Sequence, residues 1–324
     1  MSCRELHLIQ VPVRISIVTP TYQQASTIRE TIESVLKQDY TDLEYWVIDG
    51  GSADGTVEIL RSYESDPRFH WVSEPDQGQS DAINKGLARC TGEIFNWINS
   101  DDYLEPGALR RVAETFAKNP GLDIVSGWTA EFRGEPAQIF NRIQLQLRAT
   151  AEETIPVGVY CQPSTFWRTE IVRALGGADT SLHYVMDWNL WTRYLARYGQ
   201  ENVRLIDDLL AHYRHHAAAK TSTGSDQFYD EAKVVFHNLH LSLHAPEPFL
   251  LTEAETSPSW KRHRFEVNPE FDRERYLGSY AERMVRTYRK NDPARAKEWL
   301  GRTWGYKPGI TLWRLKMWLR LMFK

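Results

Sequence analysis

Between Arg14 and Phe116 short apolar runs alternate with amphipathic stretches, strand then helix, again and again. That rhythm commits the chain to βαβ units, because parallel neighbours need a crossover connection and a helix supplies it. Strands are predicted over Ile15–Thr19, Tyr45–Ile48, Phe69–Val72 and Ile94–Ile98. Helices are predicted from Ile28 to about Gln38, over Thr56–Tyr63 and Ser80–Ala88, and from near Pro106. Ile28, Ile32, Val35 and Leu36 share one helical face, and Thr27 and Glu30 have capping-box spacing. The expected fold class is α/β, a mainly parallel sheet flanked by helices. In such open sheets ligands bind at the carboxyl edge. The polar clusters Pro20-Thr21-Tyr22, Asp49, Glu74-Pro75-Asp76 and Asn99-Ser100-Asp101-Asp102 each follow a predicted strand.

Those clusters suggest chemistry. Asp101 and Asp102 emerge together at one strand tip, and adjacent carboxylates suit a hard divalent cation whose open positions substrate phosphates fill. An Asp pair is also ordinary turn chemistry, and only its placement after Ile94–Ile98 favours the cation. Asp49, beside a Gly-Gly turn, can accept from a ring N–H or a sugar hydroxyl. Tyr22 can stack on a base while its hydroxyl stays wet, or simply cap the core. Together these residues describe a nucleotide site with a metal at the phosphates. The Gly-x-Gly-x-x-Gly fingerprint and the phosphate loop ending Gly-Lys-Ser/Thr are both absent, so dinucleotide-dependent dehydrogenases and P-loop enzymes are excluded. With 39 basic and 43 acidic residues the 324-residue chain has a formal charge of −4, which argues against nucleic acid as a partner. Three scattered cysteines fit neither a disulfide framework nor a paired metal site, and a reducing cytoplasm is the expected location. No signal peptide and no membrane-spanning run is expected.

Four ordered blocks then carry a resemblance: Ile15-Ser16-Ile17-Val18-Thr19-Pro20-Thr21-Tyr22, Val47-Ile48-Asp49-Gly50-Gly51-Ser52-Ala53-Asp54-Gly55-Thr56, the run from Glu74 to Gly86, and Asn99-Ser100-Asp101-Asp102. The chain resembles the family 2 glycosyltransferases of the GT-A fold, of the bacterial polysaccharide type. The likeness continues through Gln162–Trp167, Leu175–Asp179, Met186–Trp191 and Tyr213–His216, covering roughly residues 14 to 222. The resemblance implies that Thr19, Pro20 and Tyr22 cradle the nucleobase and ribose, that Asp49 reads the base, and that Asp81 lies near the nucleoside and phosphates. It implies that Asp101 reaches the ribose side and that Asp102 binds Mn²⁺ or Mg²⁺. Asp187 takes the place of the catalytic base, with Met186 where a Glu usually precedes it. His216 and Lys220 lie in a segment resembling the loop that closes over the donor diphosphate, with His216 a further metal candidate and His215 competing for its role.

The implied reaction is inverting, metal-dependent transfer from a nucleoside-diphosphate sugar, with a UDP-sugar the expected donor. The acceptor is a glycan or lipid-linked hydroxyl in cell-surface polysaccharide assembly. A divalent cation stabilises such a leaving group, and a carboxylate can take the acceptor's proton as it attacks. The chain is expected to divide into a leader (1–13), a nucleotide-sugar-binding half (14–125), an acceptor-binding half (126–224) and a helical accessory region (225–324). Residues 310–324 place Lys316, Arg320 and Lys324 on one helical stripe among apolar residues, which suits an anionic membrane surface, or docking on the protein's own core or on a second subunit. Peripheral contact with the inner face of the plasma membrane follows from the first of these. Rival readings are a non-catalytic nucleotide-sugar-binding or scaffold protein of the same fold, a nucleotidyltransferase, which would need basic residues between Thr21 and Ile28, and a glycoside hydrolase.

Overall fold

A computed structural model of the chain describes residues 13–134, 137–216, 225–251 and 263–306, together with Lys316, Met317, Arg320 and Leu321. Lys220, the predicted leader before residue 13 and most of 310–324 lie outside the described residues. The alternating segment folds as β1 (Ile15–Thr21), α1 (Ile28–Leu36), β2 (Leu43–Asp49), α2 (Thr56–Arg61), β3 (Phe69–Ser73), α3 (Gln79–Arg89) and β4 (Ile94–Trp97). A two-residue β5 (Tyr103–Leu104) and α4 (Ala108–Lys118) follow. Strands β3, β2, β1 and β4 are parallel neighbours in that order. β1 is buried along its whole length, which is why it reads as a nearly continuous apolar run.

Helices pack on this sheet through the predicted faces. α1 buries Ile28, Thr31, Ile32 and Val35. α3 approaches β1 so closely that a Cβ on Gly86 would lie 2.5 Å from Val18 Cγ1, so only glycine fits. The predicted capping box does not form. Thr27 Oγ1 donates to Gln24 Oε1 at 2.9 Å, and Glu30 is captured instead by Arg214.

The less regular sequence beyond α4 supplies the other half of the sheet: β6 (Ile124–Arg133), β7 (Gln138–Gln144), β8 (Thr165–Arg168) and β9 (Val203–Arg214). The full order is β3-β2-β1-β4-β8-β6-β9-β5, with β7 paired to β6. β8 runs antiparallel to both β4 and β6, whereas β6 and β9 are parallel. The mainly parallel sheet expected from sequence therefore describes the first four strands, and the remainder is mixed.

The chain divides into two compact units. One comprises Met1–Gln144, Cys161–Met186 and Asn202–Thr223 and holds the whole sheet. The other comprises Leu145–Tyr160, Asp187–Glu201 and Gly224–Lys324. It contains a short α5 (Ala151–Thr154), nearly all of α7 (Met186–Tyr198), α8 (Ser225–Ser242), α9 (Arg273–Tyr288) and α10 (Pro293–Tyr306), α6 (Thr169–Ala174) belonging to the first. Its aromatic interior is organised by His240, whose Nδ1 meets the Phe249 carbonyl at 2.7 Å and whose Nε2 meets the Tyr276 hydroxyl at 3.0 Å. Burial pushes this imidazole down to about 3, so it is neutral and acts as a polar tie inside an apolar cluster. No helix among the described residues is long and apolar enough to cross a membrane.

Candidate functional site

The register of the parallel strands brings their carboxyl ends to one edge. Thr21 lies opposite Asp49, and Asp49 opposite Ser73. One strand further, Ile98 N–H donates to the Val18 carbonyl, so the chain leaving β4 enters the Asn99–Asp102 turn beside them. Tyr22 is 59% exposed, an open ring face at this edge. Thr19 is buried and its hydroxyl is engaged by the Tyr45 hydroxyl at 2.9 Å, while Pro20 is also buried. The Thr21 hydroxyl is buried and has no partner among the described residues.

Asp49 is fully buried, and its carboxylate is occupied by its own turn. Oδ2 accepts from Gly51 N–H at 3.1 Å, Ser52 N–H at 2.9 Å and Ser73 Oγ at 2.6 Å, and Oδ1 accepts from Ser52 Oγ. The residue expected to read a base thus holds the loop that would surround one. A different carboxylate stands over that turn. A Cβ on Gly50 would lie 2.8 Å from Asp76 Oδ2, and Asp76 Oδ1 accepts from Gly78 N–H at 2.8 Å. Asp76 is partly exposed. Sequence reasoning passed over its side chain; the available signal was Gly50, a residue without a side chain where a neighbouring loop must come close. Asp81 accepts from Gln77 N–H at 3.1 Å and pairs with Lys85 at 3.4 Å, which also meets Glu74 at 3.3 Å. Its carboxylate anchors the start of α3.

The two adjacent carboxylates have opposite fates. Asp102 is 1% exposed, and its Oδ1 accepts Arg214 N–H at 3.0 Å while its Oδ2 accepts Asn99 Nδ2 at 3.2 Å. Asn99 in turn accepts from Gln79 Nε2 at 2.7 Å. Burial, reinforced by the charge of Asp101, holds the Asp102 carboxyl well above the usual carboxylate range. Both Asp102 oxygens are thus engaged by protein donors within the fold. Asp101 faces outward, its side chain 23% exposed, and its Oδ2 lies 2.9 Å from His216 Nε2. His215 turns the other way, to Glu131 at 2.8 Å and edge-on to Phe140. Of the two histidines, His216 is the one that contacts Asp101.

Arg214 locks this arrangement. Its guanidinium donates to the Asp101 carbonyl at 3.0 Å and to Glu30 on α1, and it lies over the Phe132 ring at 4.6 Å. Thr31 Oγ1 on α1 donates to the Asp102 carbonyl at 2.7 Å. The fit to a divalent cation rests on donor chemistry. Asp101 and His216 offer an oxygen and a nitrogen, a set that suits Mn²⁺. Among the described residues no three His, Cys, Asp or Glu side chains cluster into a metal cage. A cation held by this pair would have most of its positions open to phosphate oxygens and water.

Asp187 belongs to the second unit, at the start of α7. It is partly exposed, yet enough protein surrounds its carboxyl that burial raises it to about 6. Its Oδ1 accepts from Trp188 N–H at 2.8 Å. The aromatic residues of α7 beside it pack inward: Trp191 is 1% exposed and stacks on Tyr160 at 5.3 Å, and Trp188 packs against Phe228 and Phe236.

Residues 16–176 match the family described as Glycosyl transferase family 2. The chain is 36% identical to the chondroitin synthase of Escherichia coli over 119 residues, which is 36% of this chain and 17% of that protein. It is 34% identical to the hyaluronan synthase of Pasteurella multocida over 120 residues, 37% of this chain and 12% of that protein. The chain thus spans only a small fraction of these relatives. An uncharacterized glycosyltransferase of Nostoc sp. matches more broadly, 23% identical over 259 residues that make up 71% of this chain and 75% of the other. Among solved structures, residues 1–349 of S. aureus TarS in complex with UDP superpose with a TM-score of 0.57 at 16% identity, covering 95% of this chain and 78% of that one. This likeness carries the fold, with its sheet and C-terminal helices.

Proposed function

We propose, from the premise that this chain belongs to the family 2 glycosyltransferases, that it moves a sugar from a nucleoside-diphosphate sugar to a hydroxyl of a glycan or lipid-linked acceptor with inversion. The observation that carries the donor half is the meeting, at one sheet edge, of an exposed aromatic ring, a carboxylate over a glycine turn, and an outward Asp–His pair. Tyr22 stacks on the base, Asp76 accepts from it across Gly50, and Thr21 supplies a buried hydroxyl without a partner among the described residues. Asp101 and His216 hold the cation. Mn²⁺ or Mg²⁺ bound there supplies Lewis-acid stabilisation of the departing diphosphate. Asp49 and Asp102 act through the loops they fix. The UDP and UDP-GlcNAc in the TarS complexes support a UDP-sugar as donor, and the synthases named above support polysaccharide assembly as the setting.

The acceptor half rests on Asp187. A carboxylate poised at about 6 is ionised at neutral pH yet basic enough to take a hydroxyl proton as the oxygen attacks, the compromise a general base requires. With Asp187 as general base and the acceptor oxygen as the attacking group, transfer is one displacement and inverts the anomeric centre. Localisation at the cytoplasmic face of a membrane belongs to the same proposal, as does the role of 310–324. The test is a donor screen for nucleoside-diphosphate release with a panel of oligosaccharide and lipid-linked acceptors, with and without Mn²⁺, followed by NMR of the product's anomeric configuration. Mn²⁺-dependent release with an inverted linkage supports the reading, whereas a retained configuration refutes it.

A further inference from the structure

The second unit contains a cleft of about 150 Å³ lined by Arg148, Glu153, Val157, Ser279, Glu282, Arg283 and Arg286, between the α5 region and one face of α9. Two of its groups have an unusual lack of protein partners. Ser279 is 7% exposed, and its Oγ has no hydrogen-bond partner among the described residues. A buried hydroxyl left so costs stability, and such a group calls for an explanation. Arg283 has a guanidinium pressed against the rings of Trp188, at 5.1 Å, and Phe236, at 4.7 Å. It donates to the Pro156 carbonyl at 3.0 Å and has no carboxylate partner among the described residues. Burial lowers its pKa. A fixed guanidinium with unused donors, beside an unused hydroxyl and opening onto a cleft, is the arrangement that recognises an oxyanion through paired, charge-assisted hydrogen bonds.

We propose that this cleft binds an oxyanion, a phosphate or a carboxylate, carried on the acceptor. Ser279 and Arg283 form its floor, and the side chains of Arg148 and Arg286 stand at its exposed rim. Three guanidiniums against the carboxylates of Glu153 and Glu282 leave a net charge of 3 − 2 = +1, which favours a singly charged group over a polyanion. The link to the acceptor rests on the reading of Asp187 given above: Arg283 lies against Trp188, the residue next to that base. An acceptor gripped here by its charge presents a hydroxyl within the same unit that carries Asp187.

The test is isothermal titration of inorganic phosphate and of glucuronate into the full chain with UDP saturating, so that the diphosphate site does not contribute. Binding of at least one probe at a single site is expected, weakening as salt rises. Ser279→Ala and Arg148→Gln should each weaken it about tenfold, the loss of one charge-assisted contact. Arg283→Lys should retain part of it. A tighter phosphate assigns a phosphorylated acceptor, and a tighter glucuronate a uronic acid. Failure of both probes to bind the wild type overturns the inference, as does binding that survives Ser279→Ala and Arg148→Gln. Donor turnover on the same preparations keeps the two proposals separate: turnover without anion binding removes only this one, and anion binding without turnover removes the reading of Asp187 and the acceptor link that rests on it, leaving the anion site itself.

Discussion

Replacing Asp187 by Asn should make the protein more stable and less active, with a pH dependence set by burial. In the unfolded chain this carboxyl titrates near 3.8, and in the fold near 6. Because the folded value is raised, the native state binds the proton more tightly, and wild-type stability falls as pH rises from 3.8 through 6. The shift of 6 − 3.8 = 2.2 units corresponds to about 3 kcal/mol at 1.36 kcal/mol per unit. That penalty is complete above about pH 7 and absent well below 3.8. Asn has the same shape and never ionises. Urea unfolding followed by tryptophan fluorescence at pH 5 and pH 8 isolates the effect, because the packing cost of the substitution cancels between the two. The advantage of Asp187→Asn over wild type should grow by about 1.4 kcal/mol between those pH values. A difference that stays flat with pH would refute the placement of this carboxyl in a poorly solvated site. Sugar transfer by the variant should fall by orders of magnitude while donor binding persists.

Other expectations follow from the same geometry. Asp101→Asn and His216→Ala should each abolish Mn²⁺-enhanced nucleotide binding, read by calorimetry, with unfolding free energy changed by less than about 1 kcal/mol because both side chains are partly exposed. Asp102→Asn should do the reverse: an amide turned toward Asn99 replaces an acceptor, costing about 1–3 kcal/mol in urea unfolding. Gly50→Ala places a methyl 2.8 Å from Asp76 Oδ2 and should weaken nucleotide binding about tenfold while leaving the melting temperature within a few degrees. Gly86→Ala forces a Cβ to within 2.5 Å of a Val18 methyl and should cost about 1–3 kcal/mol, visible as a lowered urea midpoint.

The first four strands were legible because parallel core strands are short, apolar and separated by helices of clear period. β6 to β9 were not, because they pair across long separations and lack a clean alternation: β9 is half-exposed or exposed over its first seven residues and buried mainly towards its end, and its pairing with β5 and β6 joins residues about eighty to a hundred and ten apart. The same long-range contacts shape the site. Glu30 has the spacing of a cap, but Arg214, far along the chain, takes it. Asp101 and Asp102 are indistinguishable by type and neighbourhood in sequence. Asp102 is the one that turns inward, to the local Asn99 amide and to the Arg214 N–H, and the second contact exists only once β9 lies beside β5. Asp49 illustrates a third case: an Asp before Gly-Gly reads equally as a ligand group and as the acceptor that shapes the turn, and the structure uses the second.

Electron paramagnetic resonance of Mn²⁺ in the presence of UDP addresses the donor site at the sheet edge without any acceptor. One Mn²⁺ per chain should become immobilised only when UDP is added, and Asp101→Asn should release it while Asp102→Asn, where folded, should not. Mn²⁺ that remains free with UDP bound, or that binds equally well to Asp101→Asn, contradicts the assignment of this Asp–His pair to the diphosphate.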